Sequence, residues 1–249
     1  MPAPFDSLPA RKPLVHCMTN RVADAITADV LLACGASPAM IYDIDEAAAF
    51  ASVADALLLN AGTIVREEKP AFLAAARAAK AAGKPWVLDP VAAGVLPSRD
   101  AFFKELLALR PDLIRGNAGE ILALAGFASR MQGVDSVSTV REAREAAQKL
   151  ALTTGGVVAV TGEVDFVTDG KNREEVAGGS AMSRLVTGLG CSLSAICAAR
   201  LACEADALEA TVTALTLSKR AQEKAFARSQ SPHAYRTAYI DALYELTRP

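Results

Sequence analysis

Gly188 and Gly190 bracket Leu189 directly ahead of Cys191 and a long apolar helical pattern, Ser192 to Cys203. Glycine reaches φ > 0 and lets the backbone approach a ligand closely. A helix start leaves N–H groups unpaired and carries partial positive charge. Together these features make an anion site, and phosphate is the anion most often bound there. Leu189, Gly190 and Cys191 would supply the N–H groups. Cys191 stands where a proton acceptor or nucleophile would be placed. A glycine turn before a core helix with a buried cysteine would look the same, so the stretch needs support from elsewhere in the chain. Two better-known phosphate signatures are excluded: no GxxxxGK[ST] occurs, and GxGxxG fails at Leu193.

That support comes from polar residues that follow short apolar runs: Thr19-Asn20, Asn60, Asp89, Arg115, Asn117 and Thr161. In open α/β sheets, ligands bind beyond the carboxyl ends of the strands, which puts all of these on one rim. Singly, each is an ordinary cap or loop residue; their repetition carries the argument. Asp89 precedes Pro90, so its backbone is held extended. Asp89 and Glu120 are candidates to face a magnesium ion, directly or through water, since Mg²⁺ uses few carboxylates plus substrate phosphates. Glu120 has a competing reading. If Asn117 caps a helix, Glu120 stands at its third position as a capping-box partner. Arg115 is either a bidentate donor to phosphate oxygens or half of a surface ion pair.

The elements that must position these residues alternate. Apolar runs at Leu14–Met18, Pro38–Ile41, Ala56–Leu59, Trp86–Leu88, Leu113–Ile114 and Gly156–Val160 read as strands. Segments with Ala and Leu at helical spacing follow, among them Ile26–Cys34, Pro70–Ala82 and Val140–Leu152. Such βα alternation predicts an α/β fold with a mostly parallel sheet covered on both faces. Towards the end of the chain, Ser192–Cys203, Ala207–Ala227 and Ala234–Leu246 read as three helices, with Asp206 as a cap and Asp169-Gly170 as a turn. Without a linker, low-complexity tract or repeat, residues 1–249 read as one domain.

Composition excludes several function classes. The 249 residues are 52% hydrophobic, enough for a large core. Lys+Arg at 26 against Asp+Glu at 28 leaves no basic footprint for nucleic acid or an anionic membrane. The segment MPAPFDSLPARKP lacks the apolar centre of a signal peptide, and no apolar run approaches 18 residues, so a cytoplasmic protein is expected. Five cysteines, at 17, 34, 191, 197 and 203, show no CxxC pair or framework spacing, which argues against disulfides and zinc.

Six segments, taken in order, resemble the hydroxyethylthiazole kinase family of the ribokinase-like superfamily. They are Val15-His-Cys-Met-Thr-Asn20, Gly35-Ala-Ser-Pro-Ala-Met40, Leu88-Asp-Pro-Val91, Ile114-Arg-Gly-Asn-Ala-Gly-Glu-Ile-Leu122, Val158-Ala-Val-Thr-Gly-Glu-Val-Asp165 and Val186-Thr-Gly-Leu-Gly-Cys191. The set spans most of the chain. The resemblance implies a ribokinase-like three-layer fold and ATP-dependent phosphorylation of 4-methyl-5-(2-hydroxyethyl)thiazole, with Mg²⁺. It places Met40, Asn20 and Gly188 at the thiazole, Arg115, Thr161 and neighbouring Asn117 at ATP, and Asp89 and Glu120 in the magnesium region. It also implies a homotrimer with active sites between neighbouring subunits.

Cys191 occupies the place where many ribokinase-like enzymes carry an Asp base. A thiol at a helix N-terminus can have its pKa lowered, which would let Cys191 assist as proton acceptor while phosphate charge pushes the other way. Two departures stand out. Leu189 replaces the usual small residue between the glycines, and Ser229-Gln-Ser-Pro-His233 replaces a Gly-rich turn before the last helix. His16 reads as a strand-end residue and His233 as a surface or cap residue. Alternatives are a hydroxymethylpyrimidine kinase, an ADP-dependent dehydratase of hydrated nicotinamide nucleotides, or a thiazole- or nucleotide-binding protein without turnover. Cys191 argues against the first, and the His-Cys-Met-Thr-Asn segment against both enzymes.

Overall fold

The six apolar runs become the parallel part of one sheet: β1 (Leu14–Met18), β2 (Ser37–Ala39), β3 (Ala56–Asn60), β4 (Trp86–Asp89), β5 (Leu113–Asn117) and β6 (Val157–Thr161). Two strands absent from the expected set, β7 (Asp165–Thr168) and β8 (Arg173–Val176), extend it antiparallel. The order is β2-β1-β3-β4-β5-β6-β7-β8. The computed structural model describes Phe5, residues 7–126 and residues 136–248. β8 escapes the sequence pattern because Arg173, Glu174 and Glu175 are exposed, and an edge strand that bears charge instead of apolar alternation is guarded against further pairing. The Asp169-Gly170 turn joins these two strands, with Asp169 Oδ1 accepting from the Lys171 and Asn172 N–H groups at 2.7 and 2.6 Å.

Alternate residues of the central strands enter different cores. Leu58 and Val87 join a cluster with α1 (Ser7–Arg11), α2 (Asp24–Ala33), α8 (Leu189–Leu201), α9 (Ala207–Arg228) and α10 (Pro232–Thr247). Leu57, Leu59, Trp86 and Leu88 join the opposite cluster, under α3 (Ile44–Val53), α4 (Lys69–Ala81), α5 (Pro97–Ala108), α6 (Ala118–Leu124) and α7 (Ser136–Thr154). Burial on both faces is why these strands read as continuous apolar runs. The result is the expected three-layer α/β sandwich. α3 and α5 were not among the expected helices. α3 is an alanine-rich stretch with little polar contrast, started by Asp43, whose side chain accepts from the Asp45 N–H at 2.8 Å; α5 buries only Phe102, Phe103 and Leu106.

α8 is the element that matters most for the site. It begins at Leu189, three residues earlier than its apolar pattern, and Ser192 through Leu201 are all buried. It packs against β1, β3 and β4, so its N-terminus opens at the carboxyl rim of the sheet's centre. Gly188 makes the turn at φ +86°, and a Cβ there would lie 2.7 Å from Ile26 Cγ2. Conformation and packing against α2 therefore both require glycine.

The turn into β6 is equally tight. A Cβ on Gly156 would lie 2.3 Å from the Pro111 carbonyl oxygen and 2.8 Å from that of Asp112. Gly83, at φ +67°, has nothing within 4 Å of its Cβ position. Gly156→Ala should therefore lower unfolding free energy by at least about 2–3 kcal/mol through overpacking against backbone, and Gly83→Ala by only about 1–2 kcal/mol of left-handed strain. Denaturant titration of both variants checks this; equal losses would show that the Gly156 contact relaxes freely.

Candidate functional site

Parallel register brings the rim residues side by side. Asn60 at the end of β3 pairs with Asp89 at the end of β4, and Asn117 at the end of β5 with Thr161 at the end of β6. Asn20, just beyond β1, is buried beside Asn60. A hydrogen-bonded row results: Asn60 Nδ2 donates to Asp89 Oδ2 at 2.8 Å, and Asn20 Nδ2 donates to Asn60 Oδ1 at 3.0 Å and to Cys191 Sγ at 3.1 Å. Ser194, one turn into α8 beyond Cys191, donates its hydroxyl to Asp89 Oδ2 at 2.8 Å. Ser194 looks like any core-helix serine in the sequence; only its facing β4 reveals it.

Arg115 spans the mouth. Nη2 donates to Thr161 Oγ1 at 2.6 Å, and Nη1 donates to the Gly190 carbonyl at 3.1 Å and lies 3.7 Å from Asp89 Oδ2. Of the two readings, the ion pair exists, but with a buried carboxylate rather than on the surface. The guanidinium stands over the first turn of α8, where the N–H groups of Leu189, Gly190 and Cys191 precede any intrahelical acceptor. Leu189 turns its side chain into the core, so only its backbone faces the site and its bulk is tolerated. A Cβ on Gly190 would touch the guanidinium at 3.4–3.5 Å. A cation over a helix start is the arrangement that suits an anion.

Asp89 is 1% exposed, and burial pushes its carboxyl up to about 6, against the pull of Arg115. Its Oδ1 is buried without a protein partner, as is Asn20 Oδ1. Cys191 is half-buried, and burial together with Asp89 pushes its thiol up. That reverses the lowered value that a helix N-terminus suggests, because desolvation and a nearby carboxylate both disfavour the thiolate. Cys17, Cys34 and Cys197 are buried packing residues, and Cys203 is partly exposed.

Glu120 realises its capping-box reading. Oε2 accepts from the Asn117 N–H at 2.8 Å, and the Glu120 N–H donates to Asn117 Oδ1 at 3.0 Å. Oε1 accepts from the Ala92 N–H at 3.0 Å, at a residue with φ +62°. Glu120 thus fastens the strained segment after Asp89 to the start of α6. Asn117, exposed, has its side-chain oxygen engaged as the cap.

Met40 follows β2 and packs, partly buried, against the core. Its segment is held by His16, whose Nε2 donates to the Ile41 carbonyl at 2.8 Å, and by Tyr42, whose hydroxyl donates to Asp24 at 2.6 Å. His16 is a buried strand residue, while His233 is exposed in the first turn of α10. Sequence reasoning missed Lys219 of α9. Its Nζ donates to the Gly162 and Glu163 carbonyls at 3.0 and 2.8 Å and pairs with Asp165 at 3.3 Å, which anchors the loop after Thr161.

The model of the hydroxyethylthiazole kinase family matches residues 5–249. A hydroxyethylthiazole kinase of Klebsiella pneumoniae (strain 342) is 54% identical over 96% of this chain and 92% of its own. One from Cronobacter sakazakii (strain ATCC BAA-894) is 53% identical over 93% and 88%. The structure of a hydroxyethylthiazole kinase protein from Pyrococcus horikoshii OT3 is similar with a TM-score of 0.89 at 35% identity, covering 97% of this chain and 91% of that one. A Bacillus subtilis pyridoxal kinase, solved as an ADP complex, shares the fold at a TM-score of 0.63 and 19% identity, covering 84% and 90%.

The raised Asp89 carboxyl has a consequence for stability. Between its ordinary value and about pH 6, the folded chain holds a proton that the unfolded chain has released. Stability from this residue therefore falls as pH rises through that window and stays reduced above it. Asp89→Asn keeps the shape and removes the titration. Its stability advantage over the ligand-free native chain should widen from pH 5 to pH 8 by about 1.4 kcal/mol, the worth of the one pH unit between pH 5 and the raised value. Urea midpoints at the two pH values measure it, and a constant gap would contradict the buried-charge penalty.

Proposed function

The chain belongs to the hydroxyethylthiazole kinase family, and on that premise we propose that its rim site transfers the γ-phosphoryl group of ATP to the primary alcohol of 4-methyl-5-(2-hydroxyethyl)thiazole, giving the thiazole phosphate used in thiamine biosynthesis. The observation that carries this reading is Arg115 standing over the open first turn of α8, between Asp89 and Thr161. Phosphoryl transfer needs positioning and charge stabilisation above all. The N–H groups of Leu189, Gly190 and Cys191 hold the charge that develops on the transferred group, and Arg115 shares it. Arg115 and Thr161 bind ATP, with Asn117 at its edge. Met40 supplies a polarizable apolar wall for the thiazole, with Asn20 and Gly188 beside it. In its deprotonated form, Cys191 Sγ accepts the alcohol proton as the new O–P bond forms.

Magnesium belongs to the same reading. The unpartnered Asp89 Oδ1 fits a metal or its water. Glu120 fits less directly, because both its oxygens already accept backbone N–H groups and only their remaining lone pairs are free. When bound, Mg²⁺ neutralises phosphate charge. We read residues 1–249 as one domain and the protein as a cytoplasmic homotrimer. Support for assembly comes from Val22 and Ile44, which are 67% and 49% exposed on the segments following β1 and β2, at the substrate end of the sheet.

The direct test is ATP consumption that depends on added thiazole alcohol. Consumption without it, or none with it, would remove the kinase reading. Cys191→Ser should lower kcat by about 10²-fold or less, since a loose transition state needs little early proton removal. Cys191→Asp should retain more activity than Cys191→Ser because a carboxylate accepts a proton. A serine variant equal to the native enzyme beside an inactive, folded Asp variant would make Cys191 a packing residue. Glu120→Gln replaces one acceptor oxygen with a donor facing an N–H. It should lower stability by about 1–2 kcal/mol and raise the magnesium concentration needed for half-maximal rate. A fall in melting temperature with unchanged magnesium dependence would leave Glu120 the cap alone.

A further inference from the structure

Asn60 lies outside the set of residues expected to touch substrate, ATP or metal, yet it is the most constrained amide on the rim. It is 1% exposed and makes three hydrogen bonds, and its amide also pulls the Cys191 thiol down directly. Nδ2 donates to Asp89, and Oδ1 accepts from the Gly62 N–H at 3.1 Å and from Asn20 Nδ2. A backbone N–H can only donate, and an ionised carboxylate can only accept. Two partners on opposite sides therefore fix which end of the Asn60 amide is oxygen. Asn20 faces that oxygen, so the nearer end of its own amide must be the NH₂. The same NH₂ lies 3.1 Å from Cys191 Sγ. The direction of the row thus runs from Asp89 through two amides to the sulfur, and each step follows from the one before.

We propose that Asn60 is a positioning residue: it locks the Asn20 amide so that a donor, not an acceptor, faces the Cys191 sulfur, and thereby favours the deprotonated sulfur that accepts the alcohol proton. The inference rests on the reading of Cys191 as proton acceptor. A donor to sulfur stabilises the thiolate, whereas a carbonyl oxygen in its place would repel it. The charged groups around Cys191 are Asp89 of β4 and Arg115 of β5, which push its thiol in opposite directions. Burial adds to the upward push, and the amides of Asn20 and Asn60 counter it. In a chain without Asn60 the Asn20 amide is free to rotate, and the sulfur loses its assured donor.

The experiment reads the thiol itself, in the full-length ligand-free protein. The rate of alkylation of Cys191 by iodoacetamide is followed against pH, with the Cys191 peptide resolved by mass spectrometry from those of the other cysteines. Asn20→Ala removes the donor while leaving the Asn60 contacts to Asp89 and Gly62 in place. Asn60→Ala releases the donor's orientation and removes the Asn60 amide's own pull on the sulfur. Both should raise the apparent thiol pKa, which slows alkylation at pH 8 by about tenfold, with no slowing of the plateau rate at high pH. A purely structural loosening would instead speed alkylation at every pH. An unshifted pKa in either variant overturns the inference; should Asn60→Ala not fold, Asn60→Ser carries the same expectation. A shifted pKa with native kcat in Cys191→Ser would leave the amide row intact and remove only the proton-acceptor role.

Discussion

Burial of α8 between the sheet and α9 is the constraint on which the site depends. A helix covered from Ser192 to Leu201 cannot slide or rotate without opening the core. Its first turn is therefore held at the carboxyl edge of β1, β3 and β4, with the N–H groups of Leu189, Gly190 and Cys191 ahead of any intrahelical acceptor. Gly188 is what allows the preceding loop to arrive there, since any side chain would strike Ile26. The open helix start is thus a by-product of core packing, sharpened by one glycine.

Around that helix start the chain keeps one carboxylate in a place where it is costly. Asp89 is buried, raised towards neutrality, and held by Asn60, Ser194 and, at longer range, Arg115. None of these contacts uses Oδ1. A buried charge with a free oxygen weakens the free protein, and a carboxyl so perturbed marks a candidate site for substrate or metal. The other carboxylate, Glu120, is organised in the opposite way. Its oxygens accept backbone N–H groups that brace the segment after Asp89, so the two acids differ in how far their oxygens are already engaged within the chain.

The strands and the rim were legible because both follow from local rules. Runs such as Leu14–Met18 and Ala56–Asn60 are apolar except at His16 and the terminal Asn60, as strands buried on both faces tend to be. Asn20, Asn60, Asp89, Arg115 and Thr161 lie at their carboxyl ends, and parallel pairing then brings them together. β8 was not legible, since an edge strand with three exposed charges obeys solvent rather than the core. Nor was Lys219, which reads as one more charge on a long helix until α9 is seen to pass the loop after β6.

By itself, the sequence determined the βα alternation, the glycine turn before α8 and the family to which the chain belongs, and it offered the capping box as one of two readings of Glu120, because each is written in neighbouring residues or in the order of short segments. Only the tertiary structure decided how those residues use their polar atoms. Contacts between Asn20 and Cys191, or between Ser194 and Asp89, join positions 171 and 105 residues apart, and no local pattern encodes them. The protonation of Cys191 was decided in the same way. A helix start argues for a thiolate, but desolvation and the nearby Asp89 carboxylate outweigh it, and both exist only once the chain has folded.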